Sequence, residues 1–394
     1  MVGHVAHGKT TLTHALTGKS TLTHSEELKR GITIRLGYAD VTFYKCSTCE
    51  DPKCFSTSEK CPNCFGQCEP VRTVSFIDAP GHETLMATVL TGASLMDGAI
   101  LLVSASEKCP QPQTREHLIA LEMVGIKNVV IVQNKIDLVS KERALENYKE
   151  IKNFVKGSIL ENVPVVPVSA QQMINIDVLI RQIESTIPTP QRDSGKNLKM
   201  LIARSFDINR PGTEIKRLSG GILGGSILQG MLKVGDQIEV RPGIRSGNKY
   251  KSLVAKVEGL KKGSFELDEA GPGGLIGVMT SLDPSLTKSD SLVGNVVGYP
   301  GQITRPIDVL NLEISLLKRV VGAEDVGNIM PIRPNEDLMI NIGTSRSIGT
   351  VTQVRKEKIE MKLKIPIIAE QKERIVVSRA IAGRWRLIGF GKVL

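Results

Sequence analysis

The chain has 394 residues, enough for two or three domains with cores of their own. Aromatic residues make up only 4% of it, so those cores must be built from Ile, Val and Leu. No apolar run approaches the ~18 residues of a membrane span, no leader segment is visible, and 51 Lys and Arg against 41 Asp and Glu leave a formal charge of +10, which suits a polyanionic partner.

The first ten residues carry the first motif. Gly3-His4-Val5-Ala6-His7-Gly8-Lys9-Thr10 follows the pattern G-x-x-x-x-G-K-[ST]. In such a loop consecutive backbone N–H groups cradle a phosphate, Lys9 neutralises phosphate oxygens and Thr10 offers its hydroxyl to Mg²⁺. Ala6, His7, Gly8, Lys9, Thr10 and Thr11 are thus candidate nucleotide contacts. A helix over residues 9–16 would aim its positive end at the anion. Only Met1 and Val2 precede Gly3. Most of the buried strand that ordinarily feeds this loop is therefore expected to be missing, which leaves the functional class unchanged and the nucleotide affinity open.

Lys29-Arg30-Gly31-Ile32-Thr33-Ile34 comes next. Thr33 suits a mobile threonine that caps Mg²⁺ only when a γ-phosphate is present. Residues 33–44 read as a strand. Two Cys-x-x-Cys pairs follow, Cys46 with Cys49 and Cys61 with Cys64, with eleven residues between the pairs. That spacing fits a tetrahedral structural zinc site, non-catalytic because all four sulfurs are spent on the metal. Cys54 and Cys68 could stand in for a ligand, but their spacing forms no knuckle, and Cys109 reads as a free thiol. Seven cysteines without a secretory leader argue against disulfides.

A strand over 71–78 ends in Asp78-Ala79-Pro80-Gly81-His82. Asp78 could hold Mg²⁺ through a water, Gly81 lets a backbone N–H approach the γ-phosphate, and His82 is placed to orient the attacking water. The chain then alternates: helix 83–91, strand 98–104, helix 113–124, strand 129–133, helix 141–155, strand 163–168, helix 176–187. Continuous apolar strands alternating with helices imply an α/β, doubly wound, mostly parallel sheet. Asn134-Lys135-Ile136-Asp137 follows one such strand. A carboxylate there accepts from the N1–H and N2–H₂ edge of guanine, whereas adenine would leave a buried Asp137 unpaired. The nucleotide is therefore read as GTP or GDP. Asn134 is expected to tie the base loop to the phosphate loop and Lys135 to lie over the base. Ser169-Ala170, with Gln171 after it, would present a backbone N–H to guanine O6.

The Pro-rich polar stretch 188–196 reads as a linker. Beyond it, short β-rich segments alternate with Gly, Pro and Asp turns, which suggests β-barrels or sandwiches. The expected division is a nucleotide domain over 1–195 with a zinc knuckle at 46–64, a first barrel over 196–303 and a second over 304–394. The last 33 residues hold eight Lys or Arg against two Glu, either a solvated face or a contact for RNA or an acidic protein.

Taken together, these motifs resemble the translational GTPases of the elongation factor Tu type. Within them the chain resembles most the gamma-subunit family of archaeal and eukaryotic translation initiation factor 2. Further marks are the knuckle after the first switch, Cys109-Pro110-Gln111-Pro112-Gln113-Thr114-Arg115-Glu116-His117, Arg204-Ser205-Phe206-Asp207-Ile208-Asn209, Leu282-Asp283-Pro284-Ser285-Leu286-Thr287-Lys288 and Gly383-Arg384-Trp385-Arg386-Leu387-Ile388-Gly389. The zinc site has an archaeal look. The resemblance implies a cytoplasmic GTPase bound to alpha and beta subunits. It would carry initiator methionyl-tRNA to the small ribosomal subunit and the mRNA start codon, and GTP hydrolysis would weaken its hold on the tRNA. It implies an apolar gate of Val5 and Ile32 before His82, Tyr38 near the tRNA acceptor end, and Trp385 in the core or a barrel interface. The family usually has Asp where this chain has Ala6. That Asp accompanies a second Mg²⁺ beside the backbone of Gly31, so one Mg²⁺ is expected here, held by Thr10 and Thr33, and hydrolysis is expected to be slow without an activator.

Overall fold

The structure is a computed structural model that describes residues 1–21, 36–80, 90, 95–210, 212–247, 249–263, 265–317 and 329–394. The motif at 29–34 and the helix expected over 83–91, Leu90 apart, lie outside the described residues. Two compact units result, Met1–Pro190 and Gln191–Leu394, so the first division falls inside the Pro-rich stretch.

In the first unit a parallel sheet has the order β1 (Val2–Gly3), β5 (Ala99–Ser104), β6 (Val129–Asn134), β7 (Val165–Pro167). Every residue of β5 and β6 is buried, as expected for strands with helices on both faces. The lead-in strand survives as two residues, with Val2 opposite Leu101 and Gly3 opposite Leu102. Met1 extends the pairing on the other side: its nitrogen donates to Ile77 O at 2.8 Å, and Ala79 N donates to its carbonyl at 3.2 Å. The lead-in strand is short, as expected, and it pairs with β5. β2 (Gly37–Lys45), β3 (Phe55–Ser56) and β4 (Glu69–Asp78) form a separate antiparallel sheet, order β3-β2-β4, with Gly37 opposite Asp78.

The helices follow the sequence pattern closely. Among the described residues they are α1 (Lys9–Thr17), α2 (Pro112–Val124), α3 (Lys141–Val155) and α4 (Ile176–Thr186). Ser140 caps α3 by accepting from Arg143 N at 3.3 Å. In α4 the buried residues Ile176, Leu179, Ile180 and Ile183 recur at helical spacing. They join Leu12, Leu16, Leu102 and Val132 in one core.

The second unit holds two closed rings of six strands. The first runs β8 (Lys199–Phe206), β9 (Ile222–Gln229), β15 (Ile276–Thr280), β12 (Lys249–Lys262), β11 (Gln237–Ser246), β16 (Val296–Gly298) and back to β8; β13 (Phe265–Leu267) hangs on β12, and β10 (Leu232–Lys233) pairs with β14 (Glu269–Ala270). The second runs β17 (Ile307–Leu316), β20 (Lys358–Ile367), β19 (Ser345–Arg355), β18 (Asp337–Ile342), β21 (Arg374–Ile381) and β22 (Arg384–Val393). Each encloses an aliphatic core. The rings meet through Lys199, which reaches Glu370 at 2.7 Å, and through Ser345, which donates to Gly294 O. Of the two places expected for Trp385, the core is excluded: it lies on β22 opposite Ala380 and is 36% exposed. Part of the basic C-terminal stretch is neutralised at home, Lys364 by Asp337 and Arg379 by Glu336. Among the described residues no helix is long and apolar enough to cross a membrane.

Candidate functional site: a phosphate loop, a base loop and a cysteine knuckle

The loop between β1 and α1 is pressed against β5 and β6. Gly3 has φ 141°, and a Cβ there would come within 2.4 Å of Leu102 O; Gly8 has φ 93°, and its Cβ would meet Asn134 Nδ2 at 2.3 Å. Both positions therefore require glycine. Ala6 adopts a left-handed φ of 61° without that excuse. Lys9 is 6% exposed and donates to Gly3 O at 3.0 Å and His4 O at 2.8 Å. Burial pushes its pKa down to about 8, against the opposing pull of the Asp78 carboxylate, so it stays cationic at neutral pH.

Thr10 and Asp78, both expected at Mg²⁺, are brought together: Thr10 Oγ1 donates to Asp78 Oδ2 at 2.7 Å. Thr21 Oγ1 donates to the same oxygen at 2.7 Å, a contact across 57 residues that no motif announced. Two hard side-chain oxygens at the mouth of a phosphate loop fit Mg²⁺, which takes few protein ligands and completes its shell with phosphate and water. Gly31, Thr33, Gly81 and His82 lie outside the described residues.

The base loop is built around Asn134, at the end of β6. Its Nδ2 donates to His7 O at 2.9 Å, and its Oδ1 accepts from Ala170 N at 3.1 Å. The expected tie to the phosphate loop is there. The Ala170 amide, however, is engaged by Asn134 and the Ser169 amide by Ile174 O at 3.3 Å, so neither is idle for guanine O6. No hydrogen bond among the described residues uses the Gln171 amide, the next donor in that loop. Lys135 has φ 64° and opens a short turn, Ile136–Leu138. Asp137 is exposed, not buried as expected; only a bound base would shield its carboxylate.

His117 lies on α2, outside the motifs to which the sequence assigns a role. It is 1% exposed, and its Nδ1 accepts from Gly3 N at 2.8 Å. Burial first, and the Lys9 ammonium next, drive its pKa down to about 3, so it is a neutral acceptor. His7 is fully buried; its Nδ1 lies 3.0 Å from Leu102 O, and burial lowers its pKa as well.

The Sγ atoms of Cys46, Cys49, Cys61 and Cys64 all lie within 4.8 Å of one another. Cys46 to Cys64 is 3.5 Å and Cys49 to Cys61 is 3.6 Å. These separations are too long for disulfides and fit the edges of a tetrahedral S₄ metal site. Thr48 N donates to Cys46 Sγ at 3.4 Å, which stabilises a thiolate. Cys54 and Cys68 are buried beside the cluster but outside it. The knuckle is moored to α4 by Arg181 to Asp51 at 2.6 Å, and Phe55 of β3 packs on the core of the unit. Tyr38 is half-buried on β2, opposite Ile77.

Residues 1–189 match the family model described as Elongation factor Tu GTP binding domain, 220–298 match Elongation factor Tu domain 2, and 308–393 match Initiation factor eIF2 gamma, C terminal. The chain is 55% identical to Translation initiation factor 2 subunit gamma of Methanococcus maripaludis over 398 residues, covering 100% of this chain and 97% of that protein. The protein of the same name from Methanothermobacter thermautotrophicus is 56% identical, covering 99% of this chain and 97% of its own. That of Pyrococcus furiosus is 56% identical, covering 99% and 95%. Two solved structures share the fold. A bacterial selenocysteine-specific elongation factor superposes with TM-score 0.75 at 24% identity, over 100% of this chain and 57% of that one. Elongation factor SelB of Methanococcus maripaludis, with the GTP analogue GppNHp, gives 0.72 at 21%, over 100% and 77%. At those identities the likeness concerns the fold alone.

Two outcomes follow from the geometry. An unfolded His117 titrates near 6.5 and the folded one near 3, so the unfolded state binds more protons between those values. The stability due to the neutral ring is fully present above the higher value and is lost as pH falls toward the lower one. His117→Asn keeps an acceptor for Gly3 and removes the proton. In urea titrations across that window its unfolding free energy should fall less steeply, by up to about 1.4 kcal/mol per pH unit; parallel slopes would contradict this reading. Asp137→Asn should weaken GDP binding roughly 100-fold, about 3 kcal/mol for a lost charge-assisted pair. It should favour xanthosine diphosphate, whose ring carbonyl can accept from the amide. Unchanged preference in a displacement titration would remove Asp137 from the base site.

Proposed function

This chain belongs to the translation initiation factor 2 gamma-subunit family, a GTP-hydrolysing subunit that binds GTP or GDP with Mg²⁺, and from that premise we propose that it carries initiator methionyl-tRNA to the small ribosomal subunit. It does so in the cytoplasm, joined to alpha and beta subunits, and positions the tRNA over the mRNA start codon. The observation that carries this reading is the extent of the likeness, which runs the length of both chains at 55% identity and includes the last ring, residues 308–393.

The loop amides from Ala6 to Thr11 hold the phosphates, and Lys9 balances their charge. Mg²⁺, when bound, withdraws charge from the β- and γ-phosphate oxygens. Thr10 and Asp78 would hold it, and Thr33 would add its hydroxyl in the GTP form. Ala6 offers no carboxylate, so a second ion near Gly31 has no side-chain ligand at that position. Asp137 reads the guanine edge with Lys135 over the ring, and the loop from Ser169 to Gln171 closes on the base. His82 orients the attacking water and Gly81 brings its amide to the γ-phosphate, behind a gate of Val5 and Ile32. Release of the phosphate frees Thr33, and the tRNA end near Tyr38 loosens.

We assign zinc to Cys46, Cys49, Cys61 and Cys64 as a structural ion. The purified chain should contain one zinc per molecule, and Cys61→Ser should lose it and lower the unfolding temperature. Full zinc in that variant would exclude the assignment. The main test is binding of initiator methionyl-tRNA to the chain with a non-hydrolysable GTP analogue and with GDP, alone and with the alpha and beta subunits. The analogue should bind the tRNA more tightly by roughly tenfold, about 1.4 kcal/mol. Equal affinity in the two states would overturn the switch, and absence of binding with all subunits present would overturn the cargo.

A further inference from the structure

The turn that reads the base has little packing of its own. Asn134 is buried at the end of β6, but from Lys135 to Ser140 no residue is buried, and Leu138 is 65% exposed. Beyond Asn134, a backbone bond from Ile136 N to Val168 O at 3.3 Å joins the turn to the segment just past β7. The place of Asp137 is therefore set largely by the two elements that flank the turn, β6 before it and α3 after it.

Those two elements are fastened to each other by Gln133, the residue before Asn134. It is 3% exposed, and its backbone lies between Val103 of β5 and Pro167 of β7. Its Nε2 donates to Ala144 O at 2.7 Å and to Asn147 Oδ1 at 3.0 Å, both on α3. Asn147 is fully buried, and its Nδ2 donates to Glu107 O at 2.8 Å and to Ser104 O and Glu150 Oε2, each at 3.4 Å. All three are acceptors, so Asn147 must turn its nitrogen to them and its oxygen to Gln133. Ala144 O and Asn147 Oδ1 in turn require the nitrogen of Gln133. Neither amide can flip without leaving buried groups unpaired. The two bonds from Gln133 span 11 and 14 residues, and the base turn is the loop they close.

We infer that Gln133 is a positioning residue for guanine discrimination: with Asn147 as its partner it holds α3 against the end of β6, and so fixes where the Asp137 carboxylate stands. The inference rests on the reading of residues 134–137 as the base loop. The phosphate loop is held by other bonds, from Asn134 Nδ2 to His7 O and from Gly3 N to His117 Nδ1. A loosened clamp therefore weakens the reading of the base and spares the grip on the phosphates.

The test is displacement of fluorescent GDP from the full chain, with Mg²⁺ present, by GDP and by inosine diphosphate, which has the same phosphates and lacks the 2-amino group. The unchanged chain should prefer GDP by roughly tenfold, as expected for one hydrogen bond to a charged group. Gln133→Met, similar in length but without donors, should lower that preference roughly fivefold. Asn147→Ala, which removes one of the two acceptors, should lower it roughly twofold. Equal weakening of both nucleotides would mark a merely structural role and overturn the inference. Thermal unfolding without nucleotide identifies a variant that does not fold, in which case the other decides; failure of both to fold would make Gln133 a folding residue and overturn the inference as well. If the unchanged chain released its probe equally to both nucleotides, the base-loop reading would fall and this inference with it; a preference that survives in the folded variants would overturn the inference alone.

Discussion

The nucleotide site depends on one buried amide. Asn134 uses its oxygen on Ala170 N and its nitrogen on His7 O, so one side chain ties together the loops after β1, β6 and β7. Its approach is possible only because Gly8 has no Cβ. The two residues are therefore a single device: a side chain at position 8 would displace the amide, and loss of the amide would leave two buried backbone groups unpaired, at about 1–3 kcal/mol each. Everything else in the site, from Lys9 to Asp137, is placed relative to that knot.

Around it the charge is kept simple by burial. His4, His7 and His117 crowd the loop, and burial lowers the pKa of all three. His7 and His117 serve as neutral hydrogen-bonding groups, so Lys9 supplies the positive charge while those two rings hold the backbone. The same burial takes Lys9 down only to about 8 because Asp78 stands near. A carboxylate suited to Mg²⁺ thus also keeps the lysine charged.

What could be read in the sequence was what is written locally. The phosphate loop, the Asn134 to Asp137 turn and the paired cysteines are short motifs whose backbone geometry follows from adjacent residues, and the helical and strand periodicities located α1 to α4 and β4 to β7 within a few positions. What escaped was long-range. Thr21 meets Asp78 across 57 residues and His117 meets Gly3 across 114, and no periodicity encodes such pairs. The exposure of Asp137 and Trp385 escaped for a related reason: burial depends on what the fold lays over a residue. The partners of the short lead-in strand, Leu101, Leu102 and Ile77, come from distant segments and were likewise not written locally.

The two closed rings restrict how anything can recognise the second unit. Strands that pair all the way round leave no row of free N–H and C=O groups along an edge. The strands outside the rings, β10, β13 and β14, are two or three residues long, too short to template an added strand. Among the described residues, the rings therefore give a partner, whether RNA or protein, little edge on which to extend a sheet. The unit is then read through side chains and turns, which can drift in sequence while the hydrogen-bonded frame stays whole, so cargo preference can change in this fold without any cost to its folding.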